Sequence, residues 1–162
     1  GTDHPDAAYF TRGTGHNISA VYSEKSEDWQ KNIDRLLLKY NTARTLVPQP
    51  IIESDPSTSV AIIAYGSSDG AVREALHLLK EREGMDINYL RLRALPLTDS
   101  VVEFLKSNDT IYVVEQNRDA QVAAILKSEH PEHAAHIQPI LHYNGMPLDA
   151  ETIVTELLAL KH

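Results

Sequence analysis

The sequence predicts an α/β fold in which helices cover a mostly parallel sheet. From Val60 onward, short apolar segments alternate with amphipathic stretches, which is the pattern of strands joined by helical crossovers. At 162 residues, the chain can bury one ordinary core and carry an appendage. The apolar segments are VAIIAY (60–65), INYLRL (87–92), TIYVVE (110–115) and IQPILH (137–142). The helical stretches cover residues 69–83, 99–107, 118–129 and 150–161.

The first predicted element is a helix over residues 27–46. Ser26 stands at an N-cap position, and the acidic residues Glu27 and Asp28 favour the positive end of a helix. The sequence VPQP at 47–50 ends the helix because proline has no amide hydrogen. Its apolar residues recur at helical spacing: Ile33, Leu36, Leu37, Tyr40 and Val47.

The remaining elements follow from apolarity and capping residues. Continuous apolar runs predict that 60–65 and 110–115 are central strands buried on both faces. A short edge strand is predicted within QPIIES at 49–54. Thr98 and Asp149 stand where they can cap the helices that follow them.

Two arginines fall on one face of the segment INYLRLR. Because side chains alternate along a strand, Arg91 and Arg93 share a face that needs water or a partner. A solvated sheet edge, with the aliphatic stems packed, is favoured over a contact between subunits.

Charge and composition exclude several classes of function. The formal charge of −8 disfavours nucleic acid and anionic membrane as partners. No stretch approaches the roughly 20 apolar residues of a membrane span. The chain has no cysteine, hence no disulfide, cysteine nucleophile or thiolate-held cluster, which fits the cytoplasm. An irregular opening that starts with Gly1 leads us to expect part of a longer protein.

Two loops compete for the crevice where ligands bind open parallel sheets. Each leads from a central strand into a helix N-terminus, which suits an anion. Neither carries the glycine fingerprint of a dinucleotide site or the lysine of a P-loop. We expect Ser68 or Asp69 to cap the helix predicted over residues 69–83, so that the loop before it is chiefly a strand exit rather than a phosphate site. The loops consist of Gly66, Ser67, Ser68 and Asp69, and of Gln116, Asn117, Arg118 and Asp119.

A second glycine-rich stretch, RGTGHN, spans residues 12–17. No predicted strand precedes it, so it is weak as a nucleotide motif. Arg12 and His16 are candidates for contact with an anionic group or a neighbouring subunit. A flexible linker is an equally good interpretation.

Three histidines recur at every third position, at His130, His133 and His136. Pro131 interrupts any helix that would align them, so the pattern favours a surface segment leading to the last strand over a zinc site. No motif for a nucleophile, a catalytic carboxylate pair or a metallohydrolase is present. The residues alone therefore predict no catalytic, cofactor-binding or metal-ligating group.

Five segments resemble one enzyme family over nearly the whole chain. They are similar to the C-terminal part of the alpha subunit of 2-oxoacid:ferredoxin oxidoreductases, especially the 2-oxoglutarate type. The order and spacing of the segments together make the resemblance specific, and VVEQN and the glycine-histidine opening are the motifs that indicate the family most strongly. The segments are YFTRGTGHN, SEDWQKNIDRLLLKYNTARTLVPQP, VAIIAYGSSDGAVREAL, LRLRALPL and IYVVEQNRDAQVAAIL.

The resemblance implies a fold like the transketolase C-terminal domain, a three-layer α/β/α sandwich. Its five-stranded, mostly parallel sheet has one antiparallel strand, which would be residues 51–53 here. The resemblance further implies that residues 1–50 are the tail of a preceding domain with a connecting helix, and that 51–162 form the transketolase C-terminal-like domain.

The resemblance also implies a function for the whole enzyme. Such enzymes oxidatively decarboxylate a 2-oxo acid, reduce ferredoxin and form acyl-CoA. Thiamine diphosphate, magnesium and the iron-sulfur cluster would lie largely on a beta subunit, in agreement with the absence of cysteine here. This chain would be a non-catalytic domain that carries none of these cofactors and is inactive alone. Its partners would be the beta subunit and, through the complex, ferredoxin.

Two alternatives remain open. The same fold occurs in transketolases and lipoamide-linked 2-oxoacid dehydrogenases, although TRGTGHN and VVEQN argue against them. From a different class, the chain could be an independent anion- or nucleotide-binding regulator acting through Ser67 and Asn117. Ligand binding by the isolated chain would distinguish that alternative.

Overall fold

The computed structural model describes residues 3–5 and 13–161. Within these residues, five strands and five α-helices alternate much as the sequence predicts. The strands are β1 (Ile51–Glu53), β2 (Val60–Tyr65), β3 (Asn88–Leu92), β4 (Thr110–Glu115) and β5 (Ile137–Leu141). The helices are α1 (Ser26–Leu46), α2 (Ser68–Glu83), α3 (Asp99–Lys106), α4 (Gln121–Glu129) and α5 (Ala150–Leu160), and a 3-10 helix spans Pro131–His136.

The strands form one sheet in the order β1-β3-β2-β4-β5. Only β1 runs antiparallel among the described strands, pairing Ile52 with Leu90 of β3. The strand β2 lies at the centre, where Ile63 is opposite Leu90 on one side and Val113 of β4 on the other. The outer strand β5 pairs with β4 and contains Pro139. These pairings confirm the mostly parallel sheet and the antiparallel edge strand.

Helices pack on both faces of the sheet. On one face, α3 and α4 bury side chains such as Val101 and Leu126 against Ile63 of β2. On the other face, α2 and α5 bury Leu79 and Leu157 in a second cluster. Because alternate residues of β2 enter opposite clusters, both faces of this strand are removed from water. The three-layer α/β/α architecture is therefore confirmed.

The starts of the helices differ in how they are capped. Asp149 accepts a hydrogen bond from the Thr152 amide at 2.7 Å and so caps α5 as predicted. Thr98 has the extended backbone of an N-cap, but its hydroxyl bonds to Ser100 Oγ at 2.9 Å instead of an amide. The helix α4 begins at Gln121 rather than 118, after Ala120 takes a left-handed conformation.

The described residues up to Leu46 form one compact unit, and a second unit begins at Val47. In the first unit the glycine-rich stretch turns back on itself, with His16 and Tyr22 forming an antiparallel bridge. A side chain at position 15 would place its Cβ 2.8 Å from the Ser23 carbonyl oxygen, so this close approach requires Gly15. The helix of this unit, α1, has no buried residue along its described length.

None of the helices in the described part of the chain is both long and apolar enough to cross a membrane.

Candidate functional site

The winding of the sheet reverses between β2 and β4. From β2 the chain crosses to β3 on one side, and β4 lies on the other side of β2. The segments that follow these two strands, 66–69 with the first residues of α2 and 116–120, meet at the carboxyl edge of the sheet. This switch point is where open α/β sheets bind ligands, so we take it as the candidate site.

A buried carboxylate closes the α4 side of the crevice. Glu115, the last residue of β4, is fully buried and accepts hydrogen bonds from the amides of Val122 and Ala123, both at 2.8 Å. Both carboxylate oxygens therefore accept hydrogen bonds from free amides at the N-terminus of α4, and the negative charge stabilises the positive end of the helix dipole. An external anion would have to displace this group.

Asn117 completes the same cap. Its Oδ1 accepts from the amides of Asp119 at 3.1 Å and Gln121 at 3.2 Å. Its Nδ2 donates to Glu115 Oε2 at 2.8 Å and lies 3.2 Å from the Tyr65 hydroxyl. Burial first, and then the negative charge of Glu115, raise the pKa of Tyr65, so this hydroxyl stays protonated.

The two loops are joined by Gln116. Its side-chain amide donates to Ser67 Oγ and to Ser68 Oγ, both at 3.1 Å. Ser68 is almost fully buried beneath this contact. The structure therefore brings together four of the predicted site residues: Ser67, Ser68, Gln116 and Asn117.

The prediction that Ser68 or Asp69 caps α2 is wrong. The N-cap residue is Ser67, which has a helical backbone, and in the described chain its side chain makes no capping hydrogen bond. Asp69 is drawn away from the amides because Tyr89 donates to its Oδ1 at 2.8 Å and Arg73 binds it at 3.2 Å. Burial, followed by the hydrogen bond to Asp69, raises the pKa of Tyr89 far above its ordinary value.

The arginine pair lies beside this network. Arg91 is 3.4 Å from Asp69 Oδ2, and Arg93 donates to the backbone carbonyl of Gln49 at 3.4 Å. Both line an open cavity of about 460 Å³ together with Gly66. Arg91 lies in β3 and Arg93 directly follows it, and β3 is not a sheet edge, since β1 pairs with it on the outside.

Arg118 takes no part in these contacts, and the glycine-histidine stretch belongs to the unit that ends at Leu46. The Arg118 guanidinium is largely exposed and contacts the neighbouring Asp119 at 2.7 Å. His16 Nδ1 is 2.9 Å from the Thr14 carbonyl, and Asn32 donates to the His16 carbonyl at 2.6 Å. Arg12 lies outside the described residues.

The histidine segment joins α4 to β5, as predicted, but its rings are more buried than a surface segment suggests. Among the residues that the structure describes, the atoms His130 Nε2, His133 Nε2 and His136 Nδ1 are buried and have no hydrogen-bond partner. Glu132 Oε1 lies 3.6 Å from His130 Nδ1. Across residues 3–5 and 13–161, no group of three or more potential ligand residues is arranged to hold a metal ion.

A larger cavity, of about 800 Å³, lies at the opposite end of the sheet and was not predicted. The loop 54–59, Phe104 and Ser107 line it. Asn88, buried at its floor, donates to the Thr58 carbonyl at 3.1 Å and to Asn108 Oδ1 at 2.8 Å. The serine-rich sequence SDPSTS was the only signal, and it also describes an ordinary loop.

Comparison with known proteins adds the decisive observation. No known protein-family profile matches the chain. It is 28% identical over 141 residues to the 2-oxoacid:ferredoxin oxidoreductase subunit alpha of Saccharolobus solfataricus, covering 84% of this chain and 22% of that protein. It is 32% identical over 103 residues to the 2-oxoacid:ferredoxin oxidoreductase 2 subunit alpha of Aeropyrum pernix, covering 60% of this chain and 15% of that protein.

The chain is a relative of the 2-oxoacid:ferredoxin oxidoreductase alpha subunits. The resemblance read from its five segments is thereby confirmed. The chain spans only 22% and 15% of the length of these two curated relatives.

One solved structure has the same fold as this chain. It is the 2-oxoglutarate:ferredoxin oxidoreductase from Magnetococcus marinus, solved with 2-oxoglutarate, coenzyme A and succinyl-CoA bound. The likeness has a TM-score of 0.76 at 21% identity and covers 97% of this chain and 27% of that chain.

The motif VVEQN of this chain, residues 113–117, supplies the main contacts of the candidate site. Its acid caps α4, its glutamine joins the two loops, and its asparagine holds the cap together. Sequence reasoning selected Gln116 and Asn117 but missed Glu115. The available signal was an acid at the end of an apolar strand, a few residues before a helix.

Proposed function

We propose that this chain is the non-catalytic, transketolase C-terminal-like part of an alpha subunit of a 2-oxoacid:ferredoxin oxidoreductase. The observation that carries the proposal is the sequence match over 84% of the chain to an alpha subunit of that name. Residues 51–162 would form the domain itself, and residues 1–50 would be the tail of a preceding domain with its connecting helix.

The whole enzyme would convert a 2-oxo acid, with 2-oxoglutarate the favoured substrate, to its acyl-CoA and would reduce ferredoxin. The name of the Magnetococcus marinus enzyme supports this choice of substrate class and of coenzyme A. The chemistry would belong to thiamine diphosphate, magnesium and an iron-sulfur cluster, held mainly on the beta subunit.

The residues of this chain do not fit those cofactors. A thiolate-held cluster needs cysteine, and the chain has none. At the switch point, the carboxylate of Glu115 already occupies the amides of α4, where a diphosphate would bind. We therefore assign this chain a role in holding subunits in register, with no step of the reaction on its own side chains.

The loops at the carboxyl edge are the proposed surface for the beta subunit. Arg118 carries an exposed charge there, next to Gln116 and Asn117, which rigid contacts hold in place. Arg91, Arg93 and His16 are further proposed subunit contacts, and Arg12 stays with them as a prediction.

The test is co-expression of the polypeptide that contains this chain with the beta subunit, followed by a visible spectrum and a ferredoxin-reduction assay with 2-oxoglutarate. We expect a stable complex with cluster absorbance and activity. The isolated 162-residue chain should show no turnover. Failure to form any complex, or turnover by the isolated chain, would contradict the proposal.

A charge reversal tests the proposed surface. Arg118→Glu should weaken the complex, whereas Lys106→Glu, an exposed charge on α3 paired with Glu103, should leave it unchanged. Equal behaviour of the two variants would remove the carboxyl-edge loops from the interface while leaving the family assignment intact.

A lipoamide-linked dehydrogenase or transketolase is not favoured, because both curated relatives described above carry the ferredoxin oxidoreductase name. An independent anion-binding regulator is disfavoured by the contacts of Glu115 and Gln116 within the crevice. Calorimetry of the isolated chain with phosphate, nucleotides and coenzyme A is expected to show no heat.

A further inference from the structure

The loop between β5 and α5 contains the pair Asn144-Gly145, and Asn144 is the only asparagine in the sequence that is followed by glycine. Asn-Gly is common at turns because glycine readily adopts the left-handed backbone. Gly145 does so here, with a φ of 85°. In the same pair an asparagine side chain can react with the backbone that follows it, because glycine has no Cβ to obstruct the approach.

Both residues of this pair lie on the surface. Asn144 and Gly145 are exposed, and so are Tyr143 and Met146 on either side of them. A Cβ placed on Gly145 would meet no heavy atom within 4 Å outside its chain neighbours. Water therefore reaches the side chain of Asn144, and no packed group obstructs movement of the Gly145 amide.

The contacts of the Asn144 side chain favour attack on its carbonyl carbon. Its Oδ1 accepts a hydrogen bond from the Met146 amide at 2.9 Å. A donor in this position stabilises the negative charge that develops on the oxygen when a nucleophile adds to Cγ. Within the described residues, neither Asn144 Nδ2 nor the Gly145 amide has a hydrogen-bond partner. The leaving group and the nucleophile are therefore both unrestrained.

The amide that donates to Asn144 is itself held in place. His142 is buried at the end of β5, and its Nε2 lies 2.8 Å from the Met146 carbonyl oxygen. This contact fixes the backbone of Met146 beneath the Asn144 side chain. The reacting groups are thus kept close together by the fold, which raises the probability of attack.

We propose that Asn144 is a site of spontaneous deamidation in the folded chain. The Gly145 amide nitrogen gives up its proton to solvent and attacks Asn144 Cγ, and the bond from Cγ to Nδ2 breaks, so that ammonia leaves. The product is a five-membered succinimide ring. Water then opens the ring. Opening at Cγ gives aspartate, and opening at the backbone carbonyl carbon gives isoaspartate. The two steps together consume one water and release one ammonia, without any oxidant or reductant.

Deamidation would change both the charge and the backbone of this loop. Aspartate adds a negative charge, and isoaspartate directs the main chain through Cγ, which removes the hydrogen bond to the Met146 amide. The loop adjoins the candidate site, because Gln116 lines a cavity of about 330 Å³ together with His142, Tyr143, Gly145 and Met146. The proposed reaction therefore adds charge at the carboxyl edge of the sheet as the molecule ages.

Two other places in the chain serve as internal controls. Asn108 is buried, accepts from Asn88 at 2.8 Å and donates to the Phe104 carbonyl at 2.8 Å, so its side chain cannot turn toward the next amide. Asp69 precedes Gly70 and could form the same ring with loss of water. It lies in the first turn of α2, and its carboxylate is bound by a tyrosine and two arginines. We expect both residues to stay unchanged.

The experiment incubates the purified chain at mildly alkaline pH, folded or unfolded in urea, and follows it by peptide mapping. Electron-transfer fragmentation distinguishes isoaspartate from aspartate. We expect the peptide with residue 144 to gain the mass difference between an amide and an acid. The folded chain should react within roughly tenfold of the unfolded chain, a difference in barrier below about 1.4 kcal/mol.

Two variants test the chemistry of the site. Gly145→Ala should slow the conversion roughly tenfold or more, because the added Cβ obstructs ring closure. Asn144→Gln should stay intact, because attack on its longer side chain would require a six-membered ring. Circular dichroism of each folded sample verifies that the chain remains folded during the incubation.

Three outcomes would overturn the proposal. They are an intact Asn144 in the folded chain while the unfolded chain is converted, equal rates in the natural chain and Gly145→Ala, or conversion of folded Asn108 or Asp69 as fast as that of Asn144. The measurement needs neither a partner nor a cofactor. Its result is therefore independent of the proposed enzyme assignment.

Discussion

The helices α2 and α4 begin in similar sequence contexts but are stabilised differently. Each follows a buried parallel strand and a polar loop. At α4, Glu115 and Asn117 bind the free amides. At α2, the nearby acid is held by a tyrosine and two arginines instead. The same pattern of strand, polar loop and helix therefore does not determine which group caps a helix, since this depends on neighbours distant in sequence.

The largest effect is expected from Glu115→Ala. The substitution leaves two buried amides of α4 and the Asn117 side chain without their shared acceptor. We expect the free energy of unfolding to fall by about 3 kcal/mol. Urea unfolding measures this free energy. Glu115→Gln keeps an acceptor oxygen in a side chain of similar shape, so it should destabilise the fold less than Glu115→Ala. If Glu115→Ala lowered the free energy of unfolding by less than Asn117→Ala does, the Glu115 carboxylate would not be the main cap of α4.

Removing the second capping group should have a smaller effect. Asn117→Ala is expected to cost about 1 kcal/mol, since it deletes an acceptor for two amides. The corresponding change at α2, Ser67→Ala, should cost less than about 0.5 kcal/mol, because in the described structure its side chain caps no amide and Gln116 keeps its hydrogen bond to Ser68. Equal losses of stability in Asn117→Ala and Ser67→Ala would contradict the conclusion that a side chain caps α4 but not α2.

The network that holds Asp69 can be tested through Tyr89. Tyr89→Phe removes the hydroxyl that donates to Asp69 and should destabilise the fold by about 1 kcal/mol or less. Tyr112→Phe is the control, because within the described residues its hydroxyl has no hydrogen-bond partner. If thermal melts showed the two variants equally stable, the Tyr89 contact would contribute nothing.

The smallest effect concerns the exposed cap of α5. The hydrogen bond from the Thr152 amide lowers the pKa of Asp149 below its ordinary value. A carboxyl group with a lowered pKa in the folded state stabilises the fold above its unfolded pKa, and this contribution is lost as the pH falls through the folded pKa. Compared with Asp149→Asn, which keeps an acceptor but does not titrate, the natural chain should lose melting temperature below about pH 4. Parallel pH profiles of the two proteins would contradict this.

The order and type of the elements could be predicted from the sequence because each signal is local. The apolar run of β2 and the proline-bounded end of α1 depend on their own residues alone. The capping role of Glu115 was not predicted. Apolar periodicity identifies this residue as the end of the strand TIYVVE but carries no information on which backbone amides its carboxylate will contact. The same limit applies to Asp69, whose partner Tyr89 is 20 residues away.

The candidate site was predicted in part for the same reason. Topology placed the two loops together, since the carboxyl ends of neighbouring parallel strands meet at one edge. That Gln116 would join the loops depended on side-chain contacts across 48 or 49 positions of the chain. That Glu115 would cap α4 depended on how the loop folds back to bring the amides of Val122 and Ala123 onto its carboxylate. The burial of the histidine rings depends likewise on packing against α4 and β5, which three-residue spacing does not reveal.

The two borders of the sheet limit how this domain can associate. On one side, β1 offers only three residues; on the other, β5 contains Pro139, which has no amide hydrogen to donate. Short edges and edge prolines oppose the addition of a foreign strand. Growth of the sheet from molecule to molecule is therefore disfavoured at both borders, which leaves docking to helices and loops, whose side chains can discriminate between partners.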